Sequence, residues 1–288
     1  KKVNTISSGV IEVFERRMPS GGTLHIEEIQ DQVELQLMRS EELEVAKSYI
    51  LYRASRTQER KKETPEINVP NKPEINITKT DGSLVPLDID KLASLINDAC
   101  DGLEEVSMNE VLEEALKNLY DGVSISDMRT SLVMSARTKV EKEPNYSYVS
   151  ARILLNNIEN EVLGFLGIDL AKKSDRKEMY KEALVKTFEK GIELDFLNKE
   201  LLSFDLEKLQ DAVNEKRDLN FTYLGLQTLY DRYFITSEDT RYELPQVFLM
   251  RVAMGLAVNE ENKTDRAVEF YKLLSSFDYM SSTPTLFN

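Results

Sequence analysis

The sequence predicts a mainly α-helical protein, and three observations support this fold class. Apolar residues recur every three to four positions through most of the 288 residues, which is the period of an amphipathic helix. Glycine and proline clusters interrupt these stripes as helix ends do. The stretch NITKTDGSLVPLD at 76–88 instead has the pattern of two short strands around an Asp-Gly turn. We therefore expect helical bundles that carry one small β-hairpin cap.

The first 62 residues are predicted to form three helices. Their apolar stripes begin at Val3, Ile26 and Val45. The third helix ends in a charged run that extends to Lys62. Residues 63–74 contain three prolines and almost no bulky apolar side chain, a composition typical of a linker.

Nine more helices are predicted after the hairpin, beginning near Leu92. Asp88 or Asp90 is expected to cap the first of them, and Ser124 or Ser126 the third, because short polar side chains accept hydrogen bonds from the first helical N–H groups. The helix predicted at 244–259 is apolar on nearly every face, so we expect it to be buried. The final residues, SSTPTLFN at 281–288, are expected to begin a strand.

Composition excludes several classes of protein. The 37 Lys and Arg residues against 51 Asp and Glu residues give a net charge of −14, which argues against broad binding to nucleic acid but not against one small basic pocket. Cys100 and His25 are the lone cysteine and histidine, so a disulfide within the chain and a Cys/His zinc site are not expected. The sequence shows neither a membrane-spanning apolar run nor a secretory signal, and the expected location is cytoplasmic.

Other candidate sites are weaker. The acidic pairs Glu27/Glu28 and Glu159/Glu161 lack a Glu-x-x-His pattern, so they are interpreted as solvated helix faces rather than metal ligands. The sequence contains no P-loop and no Gly-x-Gly-x-x-Gly motif. Two common nucleotide-binding folds are therefore not indicated.

Two parts of the chain share a layout. In one, a helix opens at residues 25–30 and a second follows with Val45-Ala46-Lys47; in the other, a helix opens at 124–129 and a second follows with Ser150-Ala151-Arg152. This order indicates an internal repeat. The first copy is then expected to lack its own hairpin and opening helix, which would lie upstream of Lys1.

Three motifs resemble those of a known family. They are Lys79-Thr80-Asp81-Gly82, Tyr120-Asp121-Gly122 and Tyr146-Ser147-Tyr148-Val149-Ser150-Ala151-Arg152. Their order resembles the ATP-cone, the regulatory nucleotide-binding module of many ribonucleotide reductase large subunits. Residues 218–233 are similar to the helical region of class I large subunits, and TPTLFN at 283–288 looks like the first strand of their catalytic barrel.

The resemblance implies a domain organisation. The expected segments are the C-terminal part of a first ATP-cone (1–62), a linker (63–74), a second ATP-cone (75–168), an all-helical domain (169–280) and the first strand of an α/β barrel (281–288). The fold class it implies is thus helical bundles with a β-hairpin cap, followed by an all-helical domain that leads into a barrel.

The resemblance also implies binding sites. ATP or dATP is expected to bind as an allosteric effector at Lys79, Thr80, Asp88, Lys91 and Arg129, and Thr283 is expected to contact substrate phosphates. Several positions depart from the family pattern: Thr80 replaces a usual Arg, Val85 a common acidic or polar residue, Asp88 a frequent Asn or Asp, and Asn160 a common Lys. The second cone is therefore either a working nucleotide sensor or a folded spacer whose two lysines are ordinary surface residues.

The implied activity is the reduction of ribonucleoside diphosphates to deoxyribonucleotides, controlled overall by ATP and dATP. The implied partners are a radical-generating small subunit and further copies of the large subunit. Cys100 matches none of the family's catalytic cysteines, so this stretch is expected to be inactive alone. The alternative is a non-catalytic helical module whose inert cones serve as assembly surfaces. A DNA-binding repressor with a cone is disfavoured by the net charge.

Overall fold

The computed structural model describes residues 2–17, 26–40, 44–52, 75–79, 81–171 and 175–287. The chain divides into two compact units, residues 1–66 and residues 67–288. His25, Thr80 and the predicted linker at 63–74 lie outside the described residues.

The first unit contains the three predicted helices. They are α1 (Lys2–Arg17), α2 (Ile26–Arg39) and α3 (44–52). Helix α1 packs against α2, and the Gln36 amide donates a hydrogen bond of 3.2 Å to the Gly9 carbonyl. Phe14 and Leu37 are buried, as the apolar stripes predict.

A three-stranded sheet begins the second unit. Strands β1 (Asn76–Thr78) and β2 (Leu84–Pro86) form the predicted antiparallel hairpin. A third strand, β3 (Val123–Ser124), pairs with β1 in parallel and places β1 at the centre of the sheet. Strand β3 was not predicted from the sequence, because its two residues are too few for a strand pattern and its partner β1 is distant in the chain.

Four helices lie under this sheet in a closed ring. They are α4 (Ile89–Cys100), α5 (Met108–Asn118), α6 (Ile125–Arg137) and α7 (Tyr146–Phe165). Each helix packs against the next, and α7 packs back on α4. Asp88 caps α4 and Ser124 caps α6, which resolves both alternatives left by the sequence. We call this part, the sheet with α4–α7, the capped bundle.

The remainder of the second unit, here called the helical region, surrounds one buried helix. Its helices are α8 (Arg176–Glu193), α9 (Leu206–Ala212), α10 (Tyr223–Arg232), α11 (Pro245–Ala257) and α12 (Lys263–Ser275). Every residue from Pro245 to Met254 is buried, because α11 packs against both α8 and α12. Helix α10 packs on α7, so the capped bundle and the helical region share one hydrophobic core.

Three errors concern the helical region: one helix end, a set of short elements that were not predicted, and one strand that is described in the next paragraph. The helix predicted at 206–216 ends at Ala212, because the Asn214 side chain accepts the Lys216 N–H at 3.1 Å and starts a 3₁₀ helix instead. A second 3₁₀ helix covers Lys199–Ser203. The hairpin of β4 (Thr236–Ser237) and β5 (Thr240–Arg241) was not predicted.

The third error is at the C-terminal end. Residues 281–288 were expected to begin a strand, but Thr283–Phe287 forms a short helix, α13. The Ser282 carbonyl accepts the N–H groups of Thr285 and Leu286 at 3.0 and 3.3 Å. Pro284 lies in the first turn, where its missing N–H costs no helical bond. No strand lies beside this segment within the described part of the chain, so its backbone groups bond locally. Its assignment to a barrel stays a prediction.

Candidate functional site

The turn of the β1–β2 hairpin holds Lys79 in a defined backbone position. The Lys79 N–H donates to the Ser83 carbonyl and the Gly82 N–H donates to the Lys79 carbonyl, both at 2.9 Å. Gly82 has a φ of +81°, a left-handed conformation that glycine adopts without steric cost. The Asp81 carboxylate accepts the Ser83 hydroxyl at 2.6 Å and the Ser83 N–H at 2.9 Å, and these bonds lower the pKa of Asp81. The Lys79 side chain is exposed on this closed turn.

The parallel strand brings the start of α6 to the same end of the sheet as this turn. Thr78 pairs with Ser124, and the Thr78 hydroxyl donates to the Gly122 carbonyl at 2.7 Å. Ser124 then caps α6 by accepting the Asp127 N–H at 3.0 Å. Arg129, in the second turn of α6, is half-buried. The pairing of Thr78 with Ser124 therefore places the hairpin turn of Lys79 beside the first turn of α6, one turn before Arg129.

Asp88 and Lys91 lie at the start of α4, which follows β2. The Asp88 carboxylate accepts the Lys91 N–H at 2.9 Å, so Asp88 has a capping role that needs no ligand. Pro86 pairs with Asn76 at the opposite end of β1 from Thr78. Because strands rise about 3.3 Å per residue, the two ends of this three-residue strand are roughly 7 Å apart. Lys91 is exposed in the first turn of α4.

Three basic side chains, Lys79, Lys91 and Arg129, lie near the ends of the sheet together with the carboxylates of Asp81, Asp88, Asp90 and Asp127. Helices α4 and α6 both begin at the sheet, and helix N-termini carry partial positive charge. Among the described residues, the side chains of Lys79, Lys91 and Arg129 make no hydrogen bond or ion pair. Burial lowers the pKa of Arg129, and the negative charge of Glu161 opposes this effect. An anion beside Thr78 would meet Lys79, Arg129 and the N-terminus of α6, whereas Lys91 and the N-terminus of α4 lie at the other end of β1.

The structure describes Val85 and Asn160, two of the positions that depart from the family pattern. Thr80, an expected site residue, lies outside the described residues. Val85 pairs with Ile77 within the hairpin and adds no polar group. Asn160 is uncharged and supplies no cation. Its amide donates to the Asn156 side chain at 3.0 Å.

One residue that holds the site together was not singled out from the sequence. Asp121 accepts the Asn76 N–H at 2.7 Å and the Asn76 side-chain amide at 2.9 Å, and these bonds lower the pKa of Asp121. The Gly122 N–H donates to the Asn76 carbonyl at 2.8 Å. The Tyr-Asp-Gly motif is thus the anchor that fixes β3 beside β1. The sequence shows the Tyr-Asp-Gly motif but not its partner, because Asn76 lies 45 residues away from Asp121 in the chain.

A second motif residue has a structural role. Arg152 donates to the carbonyl oxygens of Ala99 and Asp101 at 3.0 and 2.6 Å. A guanidinium at a helix C-terminus satisfies terminal carbonyls and offsets their partial negative charge. The Tyr146 side chain is buried, and its hydroxyl accepts the Ser107 N–H at 3.0 Å.

The acidic pair on α7 is not a solvated face, and that interpretation is wrong. Glu159 is buried and forms an ion pair with Arg176 on α8. Glu161 is half-buried and accepts the Tyr230 hydroxyl at 2.7 Å. Both carboxylates face the helical region, which packs on this side of α7 and which a single-helix pattern does not reveal.

Metal and thiol chemistry find no support in the described residues. They contain no group of three His, Cys, Asp or Glu side chains that could hold a metal ion. Burial raises the pKa of the Cys100 thiol to about 12, so this thiol is protonated at neutral pH and is a poor nucleophile.

No helix among the described residues is long and apolar enough to cross a membrane.

Thr283, the expected substrate-phosphate residue, lies at the start of α13 and is exposed. Its hydroxyl is 3.0 Å from the Tyr233 hydroxyl. The Tyr233 ring also lies 5.0 Å from the Phe287 ring. Thr283 therefore lies in the helical region, and its contact with substrate phosphates stays a prediction.

Comparison with known proteins matches most of the first unit and two parts of the second unit. The family model described as ATP cone domain matches residues 1–58 and 75–161, and the model described as ribonucleotide reductase, all-alpha domain, matches residues 219–288. A ribonucleoside-diphosphate reductase subunit alpha from Chlamydia trachomatis serovar D is 36% identical over all of this chain. The chain belongs to the ribonucleotide reductase large-subunit family.

Other members of the family are similar over shorter stretches. The subunit alpha from Chlamydia pneumoniae is 38% identical over 92% of this chain and the one from Helicobacter pylori strain 26695 is 35% identical over 74%. The chain spans about 28% of the length of the Chlamydia trachomatis protein, and it spans 25% and 26% of the other two.

Proposed function

We propose that the capped bundle is an allosteric nucleotide sensor in the large subunit of a class I ribonucleoside-diphosphate reductase. ATP cone domains are effector-binding modules, and one matches residues 75–161. The effector is ATP or dATP. Lys79 and Lys91 contact its phosphates, Asp88 contacts the base or sugar, and Thr80 and Arg129 also belong to the nucleotide site.

The parallel β1–β3 pairing is the observation that carries this proposal. It brings the turn of Lys79 next to the N-terminus of α6. The start of α4, with Lys91, follows the other strand of the hairpin. Cations and helix N-termini stabilise a triphosphate because both contribute positive potential, and the two sets of groups here lie at the two ends of one three-residue strand, within the length of a nucleotide triphosphate.

The whole protein, in this proposal, reduces ribonucleoside diphosphates to deoxyribonucleotides. It pairs with a radical-generating small subunit and assembles with further large subunits, and Thr283 contacts substrate phosphates. ATP and dATP act by different affinities for two assembly states, which is what allosteric control requires.

Titration calorimetry of the 288-residue chain with ATP and dATP tests the sensor. We expect saturable binding that weakens in Lys79→Ala. A charged hydrogen bond contributes about 1.5–3 kcal/mol, so the loss corresponds to roughly a ten- to hundredfold rise in Kd. Lys142→Ala is the matched control, since Lys142 is exposed and lies beyond the far end of α6, about 20 Å from its start.

Two results would contradict the proposal. Absence of binding by a folded chain would favour the inert assembly module, to which the uncharged Asn160 already points. An equal effect of both lysine variants would indicate general charge attraction instead of a site.

A further inference from the structure

Tyr233 connects the end of α10 to both ends of α13. Its hydroxyl lies 3.0 Å from the Thr283 hydroxyl, and its ring lies 5.0 Å from the Phe287 ring. Thr283 and Phe287 are the first and last residues of α13. One side chain therefore contacts, at each end, the short segment that carries the expected substrate-phosphate residue.

The position of the Tyr233 side chain is itself restrained. Tyr233 follows α10 directly, and its N–H donates to the Leu229 carbonyl of that helix at 2.9 Å. Its ring lies 6.5 Å from the ring of Phe248, a fully buried residue of α11. Aromatic rings at these separations attract each other, and α11 also packs against α13. The Tyr233 hydroxyl is thus presented to Thr283 by a side chain that packing holds in place.

The hydrogen bond between the two hydroxyls leaves one group free for a ligand. A distance of 3.0 Å between the oxygens is within the range of O–H···O hydrogen bonds. A threonine hydroxyl has one proton to donate and two lone pairs that accept. Within the described part of the chain, the exposed Thr283 hydroxyl has no other hydrogen-bond partner. An ionised phosphate oxygen can only accept, so beside a phosphate Thr283 must donate to it and accept from Tyr233.

We propose that Tyr233 is a positioning residue for substrate binding: its hydroxyl donates to Thr283 Oγ1 and directs the Thr283 O–H towards a substrate phosphate. This proposal rests on the contact between Thr283 and substrate proposed above. A hydrogen bond accepted by the threonine oxygen polarises its O–H group and strengthens the bond that this group donates. Tyr233 does not touch the substrate in this arrangement and acts through Thr283.

The first test is Tyr233→Phe, which removes the hydroxyl and retains the packed ring. The assay is reduction of a ribonucleoside diphosphate by the whole reductase assembled with its small subunit. We expect KM to rise about three- to tenfold, the effect of one hydrogen bond. The value of kcat should not change, because the lost interaction binds the ground state and the transition state alike. Tyr279→Phe is the matched control, since Tyr279 is exposed and its hydroxyl makes no hydrogen bond within the described part of the chain.

A double-mutant cycle separates this role from a structural one. Thr283→Val removes the hydroxyl through which Tyr233 acts, so adding Tyr233→Phe to it should change KM by less than about twofold. Thr283→Ser retains the hydroxyl but loses the methyl group that restricts χ1. In that background Tyr233→Phe should raise KM by more than it does in the unmodified protein. A structural role of Tyr233 would give the same rise in all three backgrounds.

The outcomes separate this proposal from the proposed function. A rise in KM with Thr283→Val but none with Tyr233→Phe would overturn the proposal alone. Additive effects of these two substitutions, or a fall in kcat at constant KM, would also overturn it. An unchanged KM in Thr283→Val would refute the substrate contact of Thr283, and the role of Tyr233 with it. Absence of diphosphate reduction by the whole protein would refute the proposed function and this proposal together.

Discussion

A buried carboxylate in the helical region should make this protein less stable as the pH rises towards neutrality, which is the opposite of the usual effect of an ion-paired carboxylate. Asp218 is fully buried and accepts hydrogen bonds from Arg176 Nη2 and Gln246 Nε2, both at 2.9 Å, and from the Tyr180 hydroxyl. Burial raises the pKa of Asp218 from 3.8 to about 6, although Arg176 and the hydrogen bonds act in the opposite direction. The perturbation that isolates this group is Asp218→Asn, which has nearly the same shape and does not titrate.

The expected magnitude follows from that pKa. A folded-state pKa above the unfolded one gives a stabilising contribution that is complete below the unfolded pKa and is lost as pH rises through the folded pKa. A shift from 3.8 to about 6 corresponds to about 3 kcal/mol in total, at about 1.4 kcal/mol per pH unit. Between about pH 5 and about pH 7.5 the unmodified chain should lose about 1.4 kcal/mol relative to Asp218→Asn.

The assay is urea unfolding followed by tyrosine fluorescence at several pH values. All tyrosines except Tyr49 and Tyr52 lie beyond residue 66, so the signal reports mainly on the second unit. Asp211→Asn is the matched control, because hydrogen bonding to Lys181 lowers the pKa of exposed Asp211. That contribution is lost only at more acidic pH, so its pH profile should be parallel to that of the unmodified chain above pH 5. Parallel profiles for Asp218→Asn would refute the reasoning.

Three further substitutions should lower the free energy of unfolding, each for a different reason, as measured by urea unfolding at neutral pH. Gly191→Ala places a Cβ 2.5 Å from Leu197 Cδ1 and should cost about 1–3 kcal/mol through overpacking; an unchanged midpoint would contradict the packing described there. Gly122→Ala has no neighbour within 4 Å of the new Cβ but a φ of +83°, so only backbone strain of about 1–2 kcal/mol is expected, and a larger loss would indicate another cause. Arg251→Ala removes the partner of buried Glu243, whose Oε2 lies 3.1 Å from Arg251 Nη2, and should cost about 3–5 kcal/mol; a loss below about 1 kcal/mol would show that water reaches Glu243.

The features that the sequence predicts correctly are local in the chain. The Asp88 and Ser124 caps each depend on residues within three positions, and the Asp-Gly turn depends on the glycine at Gly82. The helices follow from apolar periodicity in the same way. Local signals were sufficient to predict the mainly helical fold class and the hairpin.

The features that were missed depend on distant or atypical partners. Glu161 meets the Arg241 N–H across 80 residues, and no pattern on α7 alone identifies that contact. The β4–β5 hairpin turns at Glu238 and Asp239, with φ values of 48° and 67°, where sequence rules expect glycine or asparagine. The proximity of Lys79 to α6 also required the parallel pairing, so the sequence predicted site residues only through a family resemblance and could not arrange them.

The parallel pairing of β1 with β3 also implies an order of folding. Ile77 meets Val123 only after the chain has passed through α4 and α5, and closing so long a loop is entropically costly until those helices have packed. The helical ring should therefore form before the sheet. The end of the sheet where the Lys79 turn meets the start of α6 is then completed in the last step of folding. An anion that binds there stabilises the product of that step and not the earlier helical ring.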